Sequence, residues 1–198
     1  MPSRKLWVVA LVLAAACGGG EPSLTAGDVA RIMPSAADAP ARTELEAQSA
    51  GPQTLDEFIS DATVRDTLRG YGFRVAYVAQ FATPGFTPDP STAPIGTALY
   101  STSVIVLRDA PAARKAFHFY EERLRTRAKG LTPLVVSGFG TDTFAFHFSA
   151  LAETALPGLA YLWRVGNALF SVVGVGNPGP DAQATRDIAG LIERRATE

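Results

Sequence analysis

The chain contains one cysteine, two histidines and two methionines in 198 residues, and each scarcity removes a class of function. A single cysteine cannot close an internal disulfide, so the small stapled scaffolds of secreted proteins are excluded. With two histidines, no H-E-x-x-H and no cysteine pair, little is left for a zinc centre. No G-x-S-x-G elbow is present to display a serine nucleophile. Positive charge is not in excess: 18 Lys and Arg stand against 19 Asp and Glu, so the basic footprint of nucleic-acid binding is missing and no nucleic-acid partner is expected. No run approaches the roughly 20 apolar residues of a membrane-spanning helix, and no internal repeat is visible. Apolar residues are plentiful, at 47%, enough for a core without cross-links.

The beginning of the chain, "MPSRKLWVVALVLAAAC", has an organisation of its own. Arg4 and Lys5 form a positive start, Leu6 to Ala16 are uncharged and mostly apolar, and Ala14, Ala15 and Ala16 are small. These are the proportions of an export signal with a cleavage point. Cys17 follows the small residues directly, and "GGGEPS" follows it. The segment resembles the lipobox of bacterial lipoproteins, with Ala14 where the family prefers Leu, Val or Ile. That resemblance implies a signal peptide over residues 1–16, a diacylglyceryl group on the Cys17 thiol, a flexible tether over 17–24 and a single domain over 25–198. The competing reading is an ordinary signal followed by a free or buried thiol, which export would expose to oxidation. Loss of Arg4 and Lys5 from the 18 basic residues leaves 16 against 19 acidic, a net charge of −3.

Within the domain, periodicity and punctuation give the elements. "SLTAGDVARIMP" reads as a short helix capped by Ser23 or Thr25 and stopped by Pro34. "TLDEFISDATVRDTLRGYG" reads as one helix, with Thr54 and Glu57 as a capping box and glycine at its end. "FRVAYVAQF" and "TALYSTSVIVL" read as strands, joined by the proline-rich "ATPGFTPDPSTAPIG". "PAARKAFHFYEERLRTRAKG" is a helix whose inner stripe runs from Ala113 to Leu124. "LTPLVVSGF", "DTFAFHFSA", "GLAYLWRV" and "ALFSVVGVG" are strands. Gly166-Asn167 forms a hairpin turn that pairs Trp163 with Phe170 and puts Tyr161 and Val172 on the same face. A last helix starts at Asp181 and buries Ala184, Ile188, Leu191 and Ile192. Runs of strands broken by helices predict an α+β fold, a single antiparallel sheet of about six strands covered by helices. By element order the domain resembles the Mog1/PsbP-like sandwich.

Several patterns have the look of chemical sites. "GVGNPG" satisfies G-x-G-x-x-G, but no further strand follows to carry the acidic residue of a dinucleotide site, so a plain strand-to-helix turn is expected and no cofactor. Glu121 and Glu122, followed by Arg123 and Arg125, suit ion pairs along a solvated helix. His147 alternates with phenylalanines onto a solvated sheet face, and His118 sits at the rim of a helix stripe. The aromatics of the strands either fill a core or, where the sheet leaves space beneath a helix, line an apolar pocket. On the second reading Tyr77, Trp163 and Phe170 bind a ligand and Phe86, held by the proline-rich loop, borders it. The sequence thus predicts a non-enzymatic domain that binds a small molecule or an envelope protein, anchored at the periplasmic or extracellular face of a membrane by Cys17. The alternative is an envelope hydrolase or metal-dependent enzyme using His147 or His118.

Overall fold

The structure, a computed structural model, describes residues 21–151 and 154–198. Cys17 and the expected signal lie outside the described residues. The chain forms one antiparallel sheet of eight strands: β1 (Glu44–Leu45), β2 (Gly51–Gln53), β3 (Val75–Ala82), β4 (Ala98–Val106), β5 (Thr132–Leu134), β6 (Asp142–Phe148), β7 (Gly158–Val165) and β8 (Ala168–Gly176). The order is β1-β3-β4-β8-β7-β6-β5, with β2 pairing β3 beside β1. The α+β sheet is therefore as expected, with two more strands than the sequence suggested. Both are short edge pieces, and β2, with its proline, carries no alternating pattern to reveal it.

Helices cover both faces. On one lie α1 (Ala26–Ile32) and α5 (Ala182–Thr197); on the other lie α2 (Leu55–Phe58), α3 (Ala62–Gly70) and α4 (Ala110–Arg127). Alternation divides the strands accordingly. Tyr100, Val104, Trp163, Phe170 and Val172 meet Ile188 and Ile192 of α5. Ile105, Phe144, Phe146, Leu162 and Leu169 meet Ala113, Ala116 and Phe117 of α4. Covered twice, β7 is buried along its whole length. β3 is likewise covered on both faces, because Ala76 and Val78 are buried opposite Ala79 and Phe81.

Capping explains where helices begin. Asp181 accepts from the Ala184 amide, and Asp109 from the Ala112 amide at 2.8 Å. Thr25 and Asp28 form a capping box on α1; hydrogen bonds from the Thr25 hydroxyl and amide, with Arg31 adding to them, hold the Asp28 carboxyl at about 2. The helix expected from Thr54 to Gly70 is two. Thr54 and Glu57 cap α2 as predicted, but Asp61 offers its carboxylate to the Thr63 and Val64 amides. Ile59 turns extended between the two caps, and a new helix starts.

Gly166 and Asn167 turn the β7–β8 hairpin, with Val165 opposite Ala168 and Trp163 opposite Phe170. Gly166 takes φ +55°, and a Cβ there would collide with the Pro22 carbonyl. Asn167, expected as a mere turn residue, is a buried clamp. Its Oδ1 accepts from Leu24 N at 2.7 Å, and its Nδ2 donates to Leu24 O at 3.1 Å and Leu107 O at 3.0 Å. Beside it the fully buried Arg164 donates to both carboxylate oxygens of Glu21, to Asp142 at 2.7 Å and to Thr141 at 2.5 Å. Glu21 to Leu24, expected within a flexible tether over 17–24, are thus part of the folded domain. An ionised arginine without partners could not remain buried there.

Candidate functional site

The face of the sheet beneath α4 carries a polar interruption. Gln80 of β3, Ser101 and Ser103 of β4 and Ser171 of β8 lie on neighbouring central strands, on a face otherwise built from Ile, Leu and Phe. Gln80 Nε2 donates to Ser101 Oγ at 3.3 Å, and the Ser103 and Ser171 hydroxyls are 2.8 Å apart. Over the serine pair α4 does not close completely. A slot of about 170 Å³ remains, floored by Ser103, Ile105, Ala160, Leu162, Leu169, Ser171 and Val173 and roofed by Phe58, Tyr120 and Leu124. Its size is near that of the ~150 Å³ apolar cavity known to take benzene.

The roof supplies a third hydroxyl. The Tyr120 hydroxyl is buried, and no hydrogen-bond partner for it exists among the described residues. Burial pushes this phenol well above its ordinary value, with the Arg123 charge pulling slightly the other way, so it stays a proton donor. Buried tyrosine hydroxyls normally find a partner, and an unmet one costs about 1–3 kcal/mol. The two serines hold two protons and spend one on each other, leaving one more donor. The slot is therefore an apolar cleft lined by residues that carry two hydrogen-bond donors to spare. Arg123 donates to Asp61, the α3 cap, at 3.1 Å, and so ties α4 to the start of α3, three residues after Phe58.

Of the aromatic residues expected to bind a ligand, Phe170 borders the slot and the others lie elsewhere. Trp163 and Phe170 are fully buried and stacked, with ring centroids 5.4 Å apart and planes at 16°. Phe139 closes over them at 5.4 Å from Trp163, and Tyr77 packs half-buried against the same core. These rings fill the space beneath α5; of them only Phe170 also borders the slot, from the strand it stands on. Phe86 packs against the opposite core, on the α4 side, so the proline-rich loop does not hold it over Tyr77 and Trp163. That loop is folded on itself by bonds such as Ala93 N to Asp89 O at 2.8 Å.

The other candidates lie apart from the slot. "GVGNPG" is a strand-to-helix turn: a Cβ at Gly174 would run into the Thr185 hydroxyl, so the glycine serves the close approach of α5 to β8. Arg125 donates to Glu121 at 2.8 Å, as the helix spacing predicted, and also lies over the Phe144 ring at 4.2 Å. His147 is exposed on β6, and His118 is exposed on α4 with Glu121 at 3.6 Å. No group of three His, Cys, Asp or Glu side chains among the described residues is placed to hold a metal ion. A second concavity flanks Tyr100 at the start of α5, in two open lobes of about 420 and 470 Å³. Its polar groups are largely committed to the fold. Asp38 holds Arg195 at 2.9 Å, Asp181 caps α5, Thr97 donates to Pro94 O at 2.7 Å, and the Asn177 amide donates to Ala93 O at 2.6 Å.

No family model and no curated protein matches the sequence. Among solved structures the chain is similar to the extracellular domain of PknH from Mycobacterium tuberculosis, with a TM-score of 0.57 and 11% identity over 90% of this chain and 99% of that one. The two share a fold. At that identity the likeness extends to the arrangement of sheet and helices and to nothing finer. The serine pair and Tyr120 of the slot are read from this chain alone. No described helix is long and apolar enough to cross a membrane.

The slot had a signal in the sequence that periodicity alone passes over. Ser101, Ser103 and Ser171 share the alternation of their strands with Ile105, Leu169 and Val173. Hydroxyls on that inward phase of central strands mark an incompletely filled face.

Proposed function

We propose that the protein is an exported domain, tethered to a bacterial membrane through a lipid on Cys17, that binds a small molecule in the slot beneath α4 without transforming it. The lipobox-like segment supports the tether, and the fold shared with an extracellular domain agrees with export. The observation that carries the binding reading is the Tyr120 hydroxyl, buried and unmet on a residue that lines the slot together with Ser103 and Ser171. The ligand class follows from the donors. Its body is apolar and no larger than a substituted ring or short acyl segment, and it presents one acceptor oxygen, a carbonyl or ether, to Tyr120 and the spare serine proton. A charged ligand would have no counter-ion in the slot.

Fluorine NMR with two probes of similar shape tests this. 4-Fluoroacetophenone carries the acceptor oxygen, and 4-ethylfluorobenzene lacks it. The ketone should bind about tenfold more tightly, the equivalent of one hydrogen bond of about 1.4 kcal/mol. Ser171→Leu, which fills the slot, should abolish binding of both. Equal affinity for the two probes, or ketone binding that survives Ser171→Leu, defeats the assignment. The tether is tested by metabolic labelling with a fatty acid, which should mark the wild type and miss Cys17→Ser.

A further inference from the structure

We infer that the end of the domain carrying the β7–β8 turn faces the membrane, and that the opposite end, with the 83–97 loop and the Tyr100 cleft, faces away from it. This rests on the proposal that Cys17 carries the anchor. What sets the orientation is the strap formed by Glu21 to Leu24.

The strap is held at several points, all at one end of the sheet. Glu21 is bound by the buried Arg164, with Arg114 at 3.8 Å. The Pro22 carbonyl lies against Gly166, the Leu24 backbone is clamped on both sides by Asn167, and the Leu24 side chain is only 8% exposed. Arg164, Gly166 and Asn167 belong to the β7–β8 turn, and Asp142, which shares Arg164, begins the neighbouring β6. The first residue of the strap is therefore fixed in space relative to the whole domain.

Covalent reach then decides the matter. Four residue steps separate Cys17 from Glu21, and at no more than about 3.6 Å each they span at most about 14 Å. The nine residues of β8 run about 30 Å from the turn to the other end of the sheet. A reach of about fourteen ångströms cannot hold the strap end about 30 Å above the surface on which Cys17 sits, so the domain cannot stand inverted on its far end. If residues 21–24 were loose, eight steps would reach about 29 Å and the domain could invert. The strap removes that freedom. The end it selects carries Arg74, Arg108, Arg114 and Lys115, with Asp109, Glu21 and Asp142 among them, side chains compatible with a zwitterionic phospholipid headgroup layer. The lobes beside Tyr100 and the proline-rich loop are left open to the aqueous side.

The test uses the full lipidated protein on phosphatidylcholine vesicles containing acceptor-labelled headgroups. Because the Cys17 sulfur is occupied by its thioether, one added cysteine takes a donor dye, either in Lys115→Cys at the strap end or in Ile95→Cys, whose native side chain is 87% exposed in the far loop. Energy transfer should be efficient from position 115 and near background from position 95. Adding Glu21→Gln and Asn167→Ala to each should bring the two signals together. Equal transfer in the strapped protein, or more from position 95, overturns the orientation while leaving the anchor intact. A wild-type protein that fails to bind vesicles and takes dye at Cys17 overturns the anchor and the orientation with it.

Discussion

Replacing Asn167 by alanine probes the joint on which the orientation depends. The side chain is 1% exposed and makes three hydrogen bonds, at 2.7, 3.1 and 3.0 Å, to Leu24 N, Leu24 O and Leu107 O. Alanine leaves a buried amide and two carbonyls without these partners, in a place the hairpin turn closes to water. At about 1 kcal/mol for each lost bond the domain should lose about 3 kcal/mol. For a domain of this size, at roughly 2–4 °C per kcal/mol, that is a fall in melting temperature of about 6–12 °C. Amide hydrogen exchange adds a local reading: the Leu24 amide should exchange much faster, while central amides of β4 and β8 change only with global stability. Asn167→Asp sharpens the case, because it keeps the acceptor for Leu24 N but turns a carboxylate toward two carbonyl oxygens. It should be at least as damaging at neutral pH and recover as the pH falls toward the unfolded aspartate value of about 3.9, where the carboxyl regains a proton to donate. A fall of less than about 2 °C for Asn167→Ala, with Leu24 exchange unchanged, would refute the clamp.

Two further outcomes follow from the same contacts. The Arg164 hydrogen bond, working against a smaller cost of burial, holds the Glu21 carboxyl below its ordinary value of 4.5. Its contribution is therefore complete above that value and lost as the pH falls through the lower folded value. Melting temperature measured against pH should lose part of its acid-side slope in Glu21→Gln, and an unchanged slope contradicts the pairing. Gly174→Ala should cost about 1–3 kcal/mol by forcing α5 off β8, as overpacking does. Part of that cost should return in Gly174→Ala/Thr185→Ala, where the obstructing hydroxyl is gone; a single variant as stable as wild type would show that the helix yields freely.

Local signals carried most of the fold and little of the site. The β7–β8 hairpin was legible because Gly166-Asn167 sits between two apolar alternations of matching length, which fixes Trp163 opposite Phe170. Asp181 and Thr54 announced their helices because caps act within three residues. The break at Ile59 was hidden because Asp61, which could equally sit inside a helix, caps a new one, and β2 shows itself only in its pairing with β3. Arg164 reads as an ordinary strand residue; its burial depends on Glu21, 143 positions away. The placing of the aromatic residues was hidden for a similar reason. Tyr77, Trp163 and Phe170 share a face as their periodicity requires, but whether a shared face is a cavity or a core depends on what packs over it, here Phe139 and α5. Conversely, the slot depends on what fails to pack over Ser103 and Ser171.

Thermal unfolding of the wild type and Tyr120→Phe, each with and without 4-fluoroacetophenone, tests the binding claim most directly. If Tyr120 is kept for a ligand, its hydroxyl is a cost in the free protein, and an unmet buried group of this kind is worth about 1–3 kcal/mol. The ligand-free Tyr120→Phe protein should then melt at the wild-type temperature or above it, and the ketone should raise the melting temperature of the wild type by more than that of the variant. A variant that melts several degrees lower, with the same ketone-induced rise as the wild type, would contradict the account, because the hydroxyl would then serve the fold and not a ligand.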